Sequence, residues 1–160
     1  MVRINIVCVG KLKEKYLKDS IDEYSKRLSK YCKLNIIELE DVSLPNKIND
    51  SIIMDIKKKE GEKILEQIKN TQYVIALELK GKEYSSEEFA NTIQDIQTRG
   101  FSDITFVIGG TLGLDKEVLN RANELVCFSK MTFPHQLIRV FLLEQLFRGF
   151  KILNNETYHW

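Results

Sequence analysis

Short apolar runs alternate with longer amphipathic segments along the whole chain, and this alternation predicts an α/β fold. The apolar runs are rich in β-branched residues and end at glycine or polar positions, which is typical of buried strands in a parallel sheet. Strands are predicted at residues 3–9, 34–39, 73–79, 104–108 and 125–128. Gly81 is expected to turn the chain after the third of them.

Between these runs, apolar residues recur at steps of three and four, which predicts helices. The predicted helices cover residues 12–31, 50–69, 85–99, 115–123 and 134–153. Ser85 and Glu88 have the spacing of a capping box at the start of the third helix. The last helix is apolar on more than one side, which predicts either a central place in the core or a subunit interface.

Strands and helices alternate without a linker, a repeat or a low-complexity segment. We therefore expect one domain over residues 1–160, with a mainly parallel sheet flanked by helices. In such a sheet, ligands bind beyond the carboxyl ends of the strands.

Charge and cysteine content exclude several classes of protein. With 24 basic and 23 acidic residues, the net charge of +1 gives no global signal for nucleic-acid binding. Basic residues are concentrated in residues 11–18 and 125–155, where they form either solvent-exposed faces or contacts to RNA.

Three separated cysteines argue against a disulfide framework or a zinc site and favour a reducing cytoplasm. We expect no metal site, and no apolar run approaches the ~18 residues of a membrane span.

Glycines follow the fourth predicted strand at positions 109, 110 and 113. Glycine has no Cβ, so a glycine loop lets the backbone approach a ligand, although a tight turn uses glycine equally well. The spacing lacks the G-x-G-x-x-G fingerprint of dinucleotide-binding proteins. The residues alone therefore predict a cytoplasmic α/β protein with a nucleotide-type pocket.

The carboxyl-terminal third closely resembles the ribosomal RNA large subunit methyltransferase H family. The resemblance is carried by Gly109-Gly110-x-x-Gly113-Leu114, residues 128–140, Glu144-Gln145-Leu146-Phe147-Arg148 and Tyr158-His159. It extends over essentially the whole chain, and residues 129–139 are its most specific part. The resemblance implies a SPOUT-class fold, a homodimer and a carboxyl-terminal trefoil knot.

The same resemblance implies a reaction, a cofactor and a set of site residues. Members of the family transfer a methyl group from S-adenosyl-L-methionine to N3 of a pseudouridine in 23S rRNA. The cofactor-binding positions of the family match Leu77, Gly109, Phe128, Ser129, Lys130, Met131, Thr132 and Phe133. We expect the enzyme to act on the assembled ribosome in the cytoplasm.

The implied reaction assigns hypothetical roles to four further residues. His159 accepts the N3 proton or orients the base, and Tyr158 positions the uracil ring. Arg139 and His135 bind the substrate RNA, Arg139 through a phosphate; His135 could instead only satisfy local backbone groups. Trp160 stands where relatives commonly carry a basic residue.

Two other functions remain open at this point. One is a SPOUT-like methyltransferase that acts on another RNA, such as a tRNA. The other is a noncatalytic ribosome-binding or assembly factor that keeps the fold without turnover. Mapping of the methylated nucleotide separates the first from the proposed reaction, and failure to bind S-adenosyl-L-methionine favours the second.

Overall fold

Strands and helices alternate along the chain in the computed structural model, which describes residues 1–158. The elements are β1 Arg3–Val9, α1 Lys15–Leu28, β2 Lys33–Leu39, α2 Asp50–Glu66, β3 Tyr73–Glu83, α3 Ser86–Thr98, β4 Asp103–Ile108, α4 Lys116–Arg121, β5 Glu124–Cys127 and α5 His135–Leu153. The predicted α/β class is confirmed, and most boundaries shift by only a few residues. The largest shift at a helix start is in α1, where the Leu12 amide donates to the Glu38 carboxylate outside the helix.

The strands form one sheet in the order β2-β1-β4-β3-β5, and every neighbouring pair is parallel. The carboxyl ends of all these strands therefore lie along the same edge of the sheet. Beyond that edge, a single antiparallel bridge joins Gly110 to Gly113. The trefoil knot stays a prediction.

Helices cover both faces of the sheet, and β1 contributes to both resulting cores. Ile4 and Ile6 face the core that also holds buried residues of α1, α3 and α5. Val7 and Val9 face the opposite core, which is shared with α2 and α4. Because both faces of β1 are buried, its sequence is an almost continuous apolar run rather than an alternation.

The predicted turn at Gly81 is wrong, because Gly81 lies inside β3. A Cβ at this position would lie 2.6 Å from the Leu125 carbonyl carbon and 2.7 Å from the Val126 amide nitrogen. Glycine therefore lets the backbone of β5 approach β3 closely. The register of the β3–β5 pair shifts between Leu77 and Lys82, so the strand continues past an irregularity instead of turning.

The structure shows the predicted capping box of α3 and the predicted place of α5 in the core. The Ser85 hydroxyl accepts a hydrogen bond from the Glu88 amide at 3.1 Å, and the Glu88 carboxylate accepts one from the Ser85 amide, which confirms the capping box. In α5, Leu142, Leu143 and Leu146 are fully buried in the core. Other apolar residues of α5 stay half-exposed: Leu137, Ile138, Val140 and Phe141.

Candidate functional site

A groove of about 850 Å³ opens at the carboxyl edge of the sheet. Its walls come mainly from three strands and the chain that follows them. They are residues 77–80 within β3, residues 108–114 at and after the end of β4, and residues 126–129 and 131–135 at and after the end of β5. The volume lies within the range of roughly 300–1,000 Å³ that small-molecule and cofactor sites occupy. The groove is therefore where a parallel sheet of this topology places a ligand.

The glycine loop, residues 109–113, folds back on itself to form one wall of the groove. The Gly113 amide donates to the Gly110 carbonyl at 3.1 Å, and Gly113 has a φ of +87°, a conformation that glycine adopts without strain. A Cβ at Gly109 would lie 2.9 Å from Leu114 Cδ2. The loop is thus a tight turn, and its backbone lines the groove.

Behind the glycine loop lies a buried carboxylate on α2, Glu60. Its Oε2 accepts a hydrogen bond from the Val42 amide at 3.1 Å, and a Cβ at Gly110 would lie 3.1 Å from its Oε1. Burial raises the pKa of Glu60, while the hydrogen bond from Val42 opposes that shift. Glu60 therefore connects the polar segment after β2 to the back of the loop.

The segment of residues 128–133 is fixed at both ends by aromatic contacts. The Phe128 ring meets Phe89 of α3 edge-on at 6.4 Å, and the Phe133 ring meets Phe141 of α5 edge-on at 5.4 Å. Between these rings, the Met131 amide donates to the Ser129 hydroxyl at 3.0 Å. The middle of the segment remains open, since Met131 is 74% exposed.

The groove brings together the predicted cofactor residues with one exception. Those that line it are Leu77, Gly109, Phe128, Ser129, Met131, Thr132 and Phe133. Lys130 is exposed and is not among the lining residues. Sequence reasoning missed two residues of this region. Lys57 of α2 lines the groove, and Glu60 lies behind the glycine loop. The Glu60-Gly61 pair, which interrupts a lysine-rich helix, was the available signal.

His135, the first residue of α5, lines the groove and is half-buried. Burial lowers the pKa of His135, and the nearby positive charge of Arg139 lowers it further. A neutral imidazole at pH 7 has one donor and one acceptor nitrogen available for a ligand. Gly10 lies beside the ring, since a Cβ there would meet His135 Nε2 at an ordinary contact distance of 3.5 Å.

Arg139 requires a correction, since the structure does not present it to RNA. The side chain is buried, and its Nη1 donates to Glu38 Oε2 at 2.9 Å. Its Nη2 donates to the carbonyl oxygens of Val9 and Gly10 at 3.0 and 2.7 Å. A guanidinium with these partners joins α5 to the carboxyl ends of β1 and β2. It is not available to a phosphate.

Most of the basic residues that pointed to RNA also have acidic partners. Those within salt-bridge distance of a carboxylate are Lys11 (Glu40), Lys15 (Asp19), Arg148 (Glu144) and Lys151 (Glu156). Lys13, Lys18 and Lys130 are exposed. In residues 11–18 and 125–155, the structure therefore shows mostly paired charges, with Lys13, Lys18 and Lys130 exposed.

Tyr158 lies at the other end of α5, away from the groove of its own chain. Its hydroxyl donates to Glu144 Oε2 at 3.0 Å, and its ring meets Phe147 edge-on at 5.0 Å. His135 and Phe147 are twelve residues apart on one helix, about 18 Å along its axis at 1.5 Å per residue. His159 and Trp160 lie outside the described residues.

Two further observations concern metals and membranes. Within residues 1–158, the structure contains no group of three or more His, Cys, Asp or Glu side chains that is arranged to hold a metal ion. Over the same residues, none of the helices combines the length and hydrophobicity that a membrane crossing requires.

Comparison with known proteins identifies the family. A family model described as a predicted SPOUT methyltransferase matches residues 2–159, nearly the full length. The chain belongs to the SPOUT methyltransferase family. The groove at the carboxyl edge is therefore the candidate cofactor site of a SPOUT-family chain.

Curated relatives are similar to this SPOUT-family chain over their full length. The chain is 61% identical over 158 residues to a protein of Clostridium novyi, 60% to one of Clostridium acetobutylicum and 56% to one of Clostridium tetani. Each alignment covers 99% of both proteins, and each relative is named ribosomal RNA large subunit methyltransferase H. The similarity places the chain with these proteins within the SPOUT family.

The structural role of Arg139 predicts a large loss of stability in Arg139→Met. Removal of the guanidinium takes one donor from Glu38, which keeps the Leu12 amide, and one from each of two buried carbonyl oxygens. We therefore expect the free energy of unfolding to fall by about 2–4 kcal/mol. Urea unfolding measures this loss. The control is Arg3→Met, because Arg3 forms an exposed ion pair with Asp103 and should contribute at most about 1 kcal/mol. Equal losses in the two variants would contradict the role given to Arg139.

Proposed function

We propose that the protein methylates N3 of a pseudouridine in 23S rRNA and uses S-adenosyl-L-methionine as the methyl donor. The observation that carries the proposal is the groove at the carboxyl edge of the sheet, which is lined by the residues that match the cofactor positions of the family. The relatives named as large-subunit rRNA methyltransferases support rRNA as the substrate.

The residues of the groove suit an adenosine-bearing ligand. Leu77, Leu114 and Ile138 offer apolar surface, while the glycine loop and the segment of residues 128–133 offer backbone hydrogen-bonding groups. The pocket is large enough for a molecule of this size. When bound, S-adenosyl-L-methionine supplies a methyl group that is already activated, so the protein needs no nucleophile of its own.

The work left to the protein is to position the two reactants and to remove a proton. The acceptor nitrogen must lie roughly 3 Å from the methyl group, with water excluded. The N3 proton must leave, and we assign its acceptance or the orientation of the base to His159. Tyr158 contributes an uncharged phenol, since burial and then the neighbouring Glu144 carboxylate raise the pKa of Tyr158.

The distance between Tyr158 and the groove supports a homodimer as the active form. Within one chain, the tyrosine contacts the distal half of α5, about 18 Å from His135 along the helix. The proximal half of α5 carries half-exposed apolar residues such as Leu137 and Phe141, and Met131 is exposed nearby in sequence. A second copy that covers this surface can bring its own tail to the groove. In this arrangement each site takes residues from two chains.

The charge distribution favours an assembled ribosome over naked RNA as the substrate. A net charge of +1 gives little nonspecific attraction to a phosphate backbone, and Lys11, Arg148 and Lys151 already have acidic partners. Recognition of a composite ribosomal surface does not need such attraction. The enzyme is then cytoplasmic, as are its substrates.

The decisive experiment is transfer of tritium from labelled S-adenosyl-L-methionine to ribosomes from a strain that lacks the activity. We expect label in 23S rRNA, recovered by mass spectrometry as 3-methylpseudouridine, and a much slower reaction with protein-free 23S rRNA. Label in a tRNA would instead identify tRNA as the substrate. Cofactor binding without any transfer to RNA, or no binding at all, would contradict the proposed reaction, and the second result would favour a noncatalytic assembly factor.

Gly109→Ala should weaken cofactor binding without unfolding the protein. The new Cβ would lie 2.9 Å from Leu114 Cδ2 and 3.1 Å from the Gly113 carbonyl carbon, so the loop must move into the groove or away from the ligand. We expect the Kd for S-adenosyl-L-methionine, measured by calorimetry, to rise by at least about tenfold, which is 1.4 kcal/mol.

The matched control for this variant is Gly149→Ala in α5. A Cβ at Gly149 meets Ala90 at an ordinary contact distance of 3.6 Å, and alanine is favoured over glycine inside a helix. This control should bind the cofactor like the wild type. Wild-type affinity in Gly109→Ala would place the ligand away from the glycine loop.

His159→Ala should lower the rate of methyl transfer at saturating substrates while it leaves cofactor affinity unchanged. Loss of a general base typically costs about 10²–10⁴-fold in rate. The measurements are kcat on ribosomes and the Kd for S-adenosyl-L-methionine. His135→Ala serves as the comparison, since the groove-lining imidazole should affect the Kd more than kcat. Wild-type kcat in His159→Ala would remove His159 from the mechanism.

A further inference from the structure

We propose that Glu156 is a positioning residue that holds the carboxyl-terminal tail, residues 154–160, in the place from which Tyr158 and His159 act. The proposal rests on the proposed function, because it assumes that the tail serves methyl transfer. It adds a residue to which no role in the reaction has been assigned. Three sets of contacts in the described part of the tail carry it.

The backbone turns sharply at the end of α5. Asn155 has a φ of +54°, its amide donates to the Ile152 carbonyl at 3.1 Å, and the Glu156 amide donates to the Lys151 carbonyl at 2.9 Å. These two hydrogen bonds and the left-handed residue form a Schellman motif. The motif reverses the chain, so the residues that follow run back along the surface of the helix that they have just left.

The Glu156 carboxylate then attaches the tail to α5 and to the turn after α1. It accepts hydrogen bonds from the Tyr31 hydroxyl at 2.9 Å and from Lys151 Nζ at 2.8 Å, and Lys30 Nζ lies 3.6 Å away. Lys151 first, and then Tyr31, holds the pKa of Glu156 below its ordinary value. The carboxylate is therefore ionised at neutral pH and joins α5 to the turn that follows α1.

The ring that supports the Glu156 contacts also supports Tyr158. Phe147 meets Tyr31 edge-on at 6.1 Å and Tyr158 edge-on at 5.0 Å. Tyr31 also stacks on Phe150 with an interplanar angle of 2°. On its other side, Tyr158 lies under the Arg148 guanidinium, 4.7 Å from the ring centroid. The two attachments of the tail thus share one aromatic platform.

The two attachments differ in what they can do for the reaction. Tyr158 itself must be free to meet the base, so its contact with Glu144 is one that substrate binding has to compete with. Glu156 lies two residues earlier and has no such task. It can keep its partners while Tyr158 exchanges its own for the base, and so restrict the tail to a small region around the site. That restriction reduces the entropy lost when the reacting groups are aligned.

The test compares Glu156→Ala and Glu156→Gln with Glu62→Ala, an exposed glutamate of α2. Trp160 is the single tryptophan of the chain and lies in the tail, so its fluorescence anisotropy reports tail motion without any catalysis. We expect Glu156→Ala to lower the anisotropy and to lower kcat about five- to tenfold, with the Kd for S-adenosyl-L-methionine unchanged. Glu156→Gln, which keeps an acceptor for Tyr31, should recover part of both signals, and Glu62→Ala should match the wild type.

A second variant separates positioning from folding. Tyr31→Phe keeps the aromatic stack and removes only the hydroxyl that donates to Glu156, so it should reproduce part of the loss in anisotropy and kcat at an unchanged melting temperature. Unchanged anisotropy in Glu156→Ala would overturn the proposal, as would lower anisotropy with wild-type kcat. If the wild type itself transfers no methyl group to RNA, the proposed function fails, and with it the catalytic part of this proposal, while the anisotropy still decides whether Glu156 holds the tail.

Discussion

The geometry of the groove depends on one buried guanidinium. Arg139 donates to the carbonyl oxygens of Val9 and Gly10 and to Glu38, and these contacts fix the start of α5 over the carboxyl ends of β1 and β2. A buried charge is costly unless it is paired. The three hydrogen bonds from Nη1 and Nη2 of Arg139 offset that cost, although its buried Nε has no partner among the described residues, so the folded arrangement of these three segments is strongly specified. His135, one turn earlier on the same helix, occupies its place in the groove as a consequence.

Close approach of backbones is the second constraint. Gly81 lets β5 pass against β3, and Gly109 lets the loop after β4 fold back onto Leu114. Both contacts lie near the carboxyl edge, where β3, β4 and β5 contribute the walls of the groove. A side chain at either position would push two backbones apart. The same glycines that shape the sheet edge therefore also shape the candidate cofactor site.

Much of the fold could be predicted because its signals are local. The strand β1, the capping box of α3 and the start of α2 each follow from a few adjacent residues. The turn predicted at Gly81 is wrong because a glycine in a turn and a glycine that lets a neighbouring parallel strand approach closely have the same local sequence. The groove residues were placed by family resemblance, whereas the pairing of Arg139 with Glu38, 101 positions apart, depends on which strands are neighbours.

The two ends of α5 carry different parts of the proposed site. The helix begins at the groove with His135 and ends at the platform that holds Glu156 and Tyr158. His135 and Phe147 lie about 18 Å apart along this rigid helix. In this conformation, one chain therefore does not supply both halves of the proposed site. In the proposed homodimer, a second copy supplies the other half of the site while α5 stays intact. Under that arrangement a firmly attached tail is an advantage, because it is presented to the partner already in position.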